Sequence, residues 1–122
     1  PYHRLDEMGL YPNSVAFTDS CIGNFIDKLK ELPVWKNTLV IFVSDHGYPY
    51  PKDVVNYEPR RYHIPMLWIG GAVKKPVVID KLANQTDLAA TLLNQLGIDH
   101  DTFTFSRNIL SPDYPECILY LF

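Results

Sequence analysis

The apolar run Thr38 to Val43 stops on Ser44, Asp45, His46 and Gly47. Carboxylate and imidazole are ordinary ligands of zinc, and carboxylate also suits manganese and magnesium. Past the end of a strand, neighbouring side chains no longer have to point to opposite faces, so an adjacent acid and imidazole can reach one ion. Gly47 allows a backbone turn that a side chain would obstruct. Two ligands do not close a metal site, however. A turn capped by Asp45, with His46 as a solvated loop residue, accounts for the same residues and stays open beside the metal reading.

The flanking elements say where this pair must sit. Asn13 or Ser14 is placed to cap a helix running to about Leu32, with Val15, Ile22, Phe25, Ile26, Leu29 and Leu32 on one face and Asp27, Lys28, Lys30 and Glu31 outside. Pro33 stands where that helix should have ended. "TLVIFV" is unalternating and β-branched, which predicts a strand covered on both faces. The proline-rich stretch 47–61 predicts a surface loop. "IPMLWIGG", Ile64 to Gly71, predicts a second buried strand stopped by glycines. A short "PVVID" segment then leads to a helix over about Thr86 to Leu96, with Thr86 as cap, Leu88, Ala89, Leu92, Leu93 and Leu96 as its stripe, and Gly97 as its stop. The tail "ECILYLF" predicts a further strand. Alternating strands and helices imply an α/β fold with a parallel or mixed sheet flanked by helices. In such sheets ligands bind beyond the carboxyl ends of strands, where Asp45 and His46 are expected.

Composition narrows the function. The chain has 122 residues, 47% of them apolar and 20% charged, which suits one globular domain with a real core. A net charge of −3 with no long basic block argues against nucleic acid as a partner. Cys21 and Cys117 are the two cysteines, in no metal-like spacing, and leave the redox compartment open. No signal peptide or membrane-length apolar run is present. Arg60 and Arg61 could attract an anion, though a solvated loop pair explains them better. Gly70 and Gly71 lack the rest of a phosphate-loop pattern and read as a strand-ending turn. "NQT", Asn84 to Thr86, fits a glycosylation sequon and is read as a chance match. His3 and His100 lie in loops and are assigned no role.

"LVIFVSDHG" resembles the metal-binding strand end of the alkaline phosphatase superfamily. Within it, the sulfatases and the lipoteichoic acid synthase-like phosphoglycerol transferases are nearest. "SVAFTDSCIGNFIDKLKELPVWKNTLVIF" is similar to their helix before that strand, in which an aspartate, here Asp19, is usual. "YHIPMLWIGG" is similar to the next strand, and "QTDLAATLLNQLGI" to a late helix with a D-x-x-x-T-L-L pattern. Four segments in order are far more specific than any one of them.

The resemblance implies an alkaline phosphatase-like fold, present here incompletely. It implies chemistry at a sulfate or phosphate ester: a divalent metal (manganese, magnesium, zinc or calcium) held in part by Asp45 and His46, and a nucleophile attacking the anionic ester substrate. The family's nucleophile, a threonine or a modified cysteine or serine, lies upstream of the matching segments, as do its other acidic ligands. No catalytic nucleophile is therefore expected within these residues. Cys21 lacks the C-x-P-S-R context of sulfatases and is expected in the core. His63 is a candidate substrate contact, with a plain polar residue at a strand start as its other reading. The chain is expected to be the C-terminal part of a catalytic domain, inactive and prone to self-association alone. In transferase-like members the whole protein is expected to be anchored in a bacterial membrane, with the catalytic domain outside it. The competing class is a non-catalytic α/β binding module in which "SDHG" is only a turn.

Overall fold

The structure, a computed structural model, describes residues 7–50, 55 and 57–115. The predicted strand 116–122, His3 and Cys117 lie outside the described residues. Backbone contacts divide the chain into two compact units. Residues up to Gly47 together with His63–Pro76 form the first; Tyr48–Tyr62 together with residues from Val77 onward form the second.

The first unit opens with helix α1, Glu7–Lys30. It begins before the expected caps and carries Pro12 inside it. Ser14 is therefore not a cap. Its hydroxyl donates to the Leu10 carbonyl one turn back at 2.9 Å, the local bond that lets a serine sit within a helix. The buried stripe is narrower than the sequence pattern suggests. Ile26 is buried and Ile22 and Leu29 are half-buried, whereas Val15, Phe25 and Leu32 are exposed. Cys21, expected in the core, is exposed with a free thiol. One residue before Ile22 is a rotation of about 100° about the axis, enough to carry it off a stripe this narrow. A short 3₁₀ turn, Pro33–Asn37, follows and is the element that α1 contacts.

Strand β1, Val40–Val43, pairs antiparallel with β2, Met66–Ile69, with Val40 opposite Ile69 and Val43 opposite Met66. The described sheet has these two strands alone and shows no parallel pairing. A parallel neighbour needs a crossover, usually helical. The connection here, 44–65, holds only the 3₁₀ turn Pro59–Arg61 among its described residues. Nor is β1 covered on both faces: all four of its residues are half-buried. After β2 the chain turns on Gly70 and Gly71 as expected. Gly70 has φ +136°, and a Cβ there would meet the Thr38 carbonyl oxygen at 2.1 Å. At Gly71 it would meet the Trp35 oxygen at 2.4 Å. The Gly71 and Ala72 amides donate to the Trp35 and Thr38 carbonyls, so close backbone approach is what the glycines serve.

The second unit is built around a buried acid. Helix α2, Leu88–Gln95, is entered through a 3₁₀ turn, Gln85–Asp87. Asn84 caps that turn in a reciprocal box with Asp87, and Asp87 stands at the N-cap of α2, so Thr86, expected as the helix cap, lies inside the turn. The "PVVID" segment before it is exposed and irregular. The most buried residues of the helix region are Asp87, Ala90 and Thr91, while Leu96 is exposed. The leucine stripe was thus a poor guide to the inner face. Gly97 does end the helix, at φ +67°, with Gly97 and Ile98 donating back to Asn94 and Leu93 as in a Schellman motif.

Asp87 explains this arrangement. Its side chain is 1% exposed, and its oxygens accept from the Arg107 amide at 2.9 Å, the Asn84 amide at 3.0 Å and the Tyr114 hydroxyl at 2.6 Å. Thr91 Oγ1 donates to the Asp87 carbonyl and accepts from the Ile109 amide at 3.0 Å. Ser106 Oγ accepts from the Ala90 amide at 2.7 Å. Lys81 Nζ donates to the Ser111 carbonyl at 3.0 Å and lies 5.7 Å from the Tyr114 ring centroid. Segment 106–114 is thereby fastened to the helix region chiefly by the buried Asp87 and Thr91, and among the described residues no buried side-chain polar atom lacks a partner.

Candidate functional site

Asp45 and His46 follow directly on the last residue of β1. Both side chains reach solvent, at 87% exposure for Asp45 and 73% for His46. Their backbone is fixed locally. Asp45 Oδ1 accepts from the His46 amide at 3.0 Å, and Ser44 Oγ donates to the His46 carbonyl at 2.9 Å. The sequence alone did not single out that serine. Its position one residue before the acid is the signal, since a hydroxyl there can close a turn over two residues.

The imidazole is oriented by its own neighbour. His46 Nδ1 lies 2.9 Å from the Gly47 carbonyl oxygen. A carbonyl can only accept, so Nδ1 carries the proton of that bond. With Nδ1 committed to that bond, Nε2 is the ring nitrogen left to meet a ligand. Metal-bound histidines are held in the same way, with the second ring nitrogen donating to a carbonyl or carboxylate.

Nε2 faces the carboxylate oxygen that the backbone leaves over. His46 Nε2 and Asp45 Oδ2 are 3.6 Å apart. Two donors at 2.0–2.2 Å from one ion, at a tetrahedral angle, would be about 3.4 Å apart. The donor set, its separation and the ring tautomer all fit a divalent cation. They supply two positions of its shell. Among the described residues no group of three His, Cys, Asp or Glu side chains comes close enough to hold a metal.

His63 is brought to the same end of the sheet without joining the pair. Val43 is opposite Met66, so the residues just after β1 and just before β2 share an edge. Asp45 stands two positions past Val43, and His63 three positions before Met66. His63 is exposed. Asp19, in the middle of α1, is exposed too. Arg60 and Arg61 belong to the second unit. Arg60 Nε bonds to Glu58, and this bond, the largest cause, holds the Glu58 carboxyl below its usual range. Arg60 is thus paired within its own loop, as the solvated reading expected.

The family model described as Sulfatase matches residues 3–98. The chain belongs to the sulfatase family. The match covers α1, both strands, the Asp45–His46 turn and α2. It is 31% identical over 86 residues to arylsulfatase K of Canis lupus familiaris, across 67% of this chain and 16% of that protein. To phosphoglycerol transferase I of Xanthomonas axonopodis pv. citri (strain 306) it is 27% identical over 112 residues, across 91% of this chain and 16% of the relative. To the lipoteichoic acid synthase-like YvgJ of Bacillus subtilis (strain 168) it is 25% identical over 128 residues, across 88% and 20%. These relatives are alkaline phosphatase superfamily members, so the resemblance read from "LVIFVSDHG" holds, and with it an α/β fold. This sulfatase-family chain spans 16% of the length of the first relatives it matches. No solved structure gives a significant match.

Proposed function

We propose that this chain contributes part of the metal centre of a sulfatase-family enzyme that cleaves or transfers a sulfate or phosphate ester. Asp45 and His46 are two of the ligands. The observation that carries this reading is the 3.6 Å approach of His46 Nε2 to Asp45 Oδ2, with Nδ1 committed to the Gly47 carbonyl. When bound, the ion would neutralise an oxygen of the anionic ester. The carboxylate and imidazole hold their donor atoms ready for it. The nucleophile and remaining ligands come from a part of the polypeptide N-terminal to these residues. His63, at the same sheet edge, contacts the substrate.

Relatives named arylsulfatase and phosphoglycerol transferase favour an enzyme over a non-catalytic binding module. Kinship to the transferases favours anchoring in a bacterial membrane with the site on its outer side. Among the described residues no helix is long and apolar enough to cross a membrane.

The test is metal content, read by elemental analysis of the complete protein and of Asp45→Ala and His46→Ala, alongside turnover of an aryl sulfate and a phosphodiester. Loss of bound metal and of turnover in both folded variants is expected. Native stoichiometry in either would leave the pair as a turn.

A further inference from the structure

The second unit contains an open cavity of about 390 Å³ lined by Asn94, His100, Arg107, Asn108, Ser111, Asp113, Tyr114 and Pro115. It is apart from the Asp45–His46 pair in the chain and belongs to the other compact unit. We propose that this cavity is a binding subsite for a hydroxyl-rich ligand, a saccharide ring, independent of the metal reading.

The chemistry of the lining carries the proposal. Asn108 Nδ2 donates to Asn94 Oδ1 at 3.0 Å, and Asn108 Oδ1 accepts from the Leu110 amide at 3.0 Å. Both amide groups are oriented by these bonds, and the Asn94 NH₂ stays uncommitted among the described residues. The Arg107 guanidinium and the His100 ring likewise have no partner there, although His100 is half-buried. Asp113 adds a carboxylate acceptor at the same cavity. Donors and acceptors thus stand together: a fork of N–H groups, an amide, a ring nitrogen and a carboxylate. A hydroxyl group both donates and accepts, so vicinal hydroxyls match this mixture. A bare oxyanion would meet Asp113 as a like charge. The Tyr114 ring adds apolar surface, and the volume suits one or two sugar rings.

The cavity is also preorganised. Arg107 is held through its amide by the buried Asp87 carboxylate, and Tyr114 through its hydroxyl by the same group. The Lys81 bond to the Ser111 carbonyl fixes another lining residue. A loop already ordered in this way loses little further freedom on binding.

The experiment is a titration of the full chain, isotopically labelled, with glucose, glucuronate and N-acetylglucosamine in turn, and separately with inorganic phosphate. Saturable shifts are expected at the Asn94 side-chain amide and the His100 ring for at least one sugar. Arg107→Ala should weaken that binding about tenfold, the loss of one hydrogen bond from a charged donor. Asp45→Ala should leave it unchanged. No saturable shift with any sugar, equal binding by folded Arg107→Ala, or a response to phosphate alone would overturn the proposal.

Discussion

Two aspartates divide the labour in this chain. Asp87 is 1% exposed and accepts three hydrogen bonds, from Asn84, Arg107 and Tyr114. Asp45 is 87% exposed in its side chain and accepts one, from the next residue's amide. A buried carboxylate that spends its lone pairs on backbone and hydroxyl donors is a structural element, because removing it strands those donors away from water. An exposed carboxylate that accepts only the next residue's amide fastens no distant segment of the chain. Its coordinating capacity is what we propose the metal uses. The contrast separates what this chain needs in order to fold from what it has to offer a ligand.

The largest expected effect is at Asp87. Asp87→Ala should lower stability by about 3 kcal/mol or more, since several buried donors lose their partner together. Asp45→Ala should change it by less than about 0.5 kcal/mol. Urea unfolding of both variants reads the difference, and equal losses would break the contrast.

Gly70→Ala should come next, at about 1–3 kcal/mol, because a side chain there takes on an unfavourable positive φ and collides with the Thr38 carbonyl. Thr91→Val keeps the shape and removes the hydroxyl that accepts from the buried Ile109 amide. Its cost should be about 1–3 kcal/mol, with amide exchange at Ile109 accelerated before exchange in β1 and β2. Unchanged protection at Ile109 would show that the hydroxyl does not fasten this segment.

The smallest effect belongs to Glu58. Arg60 depresses its carboxyl pKa, so the pair is intact above the ordinary carboxylate range and is released as pH falls through the depressed value. Arg60→Ala should move the Glu58 titration midpoint upward in a carbon-detected NMR titration, with no measurable change in melting temperature. Exposed pairs of this kind contribute little.

Much of this was legible in the sequence, for reasons that differ between residues. The Asp45–His46 turn could be found because an apolar strand ending on two metal-ligand residue types is rare and local. Gly97 could be found because only a left-handed residue stops a helix so cleanly. The direction of the sheet could not, since nothing in β1 or β2 records which way the chain returns. The inner face of α2 was also misread. Leu92 and Leu93 have the larger apolar surface, yet Ala90 and Thr91 are the buried positions, because segment 106–111 approaches the helix there through polar bonds that hydrophobic periodicity does not report. Asp87 carried a signal after all, as the acid of the D-x-x-x-T pattern. Its partners at Arg107 and Tyr114 are too distant in sequence to be read from it.

The central claim is that Asp45 and His46 share one divalent cation. Its most direct test is elemental analysis of the complete protein after dialysis, comparing the unaltered protein with His46→Gln and Asp45→Asn, variants close in size to the residues they replace. Bound metal should fall to background in both while the melting temperature of the metal-free form stays unchanged. Retention of the full metal content by either variant would contradict the claim.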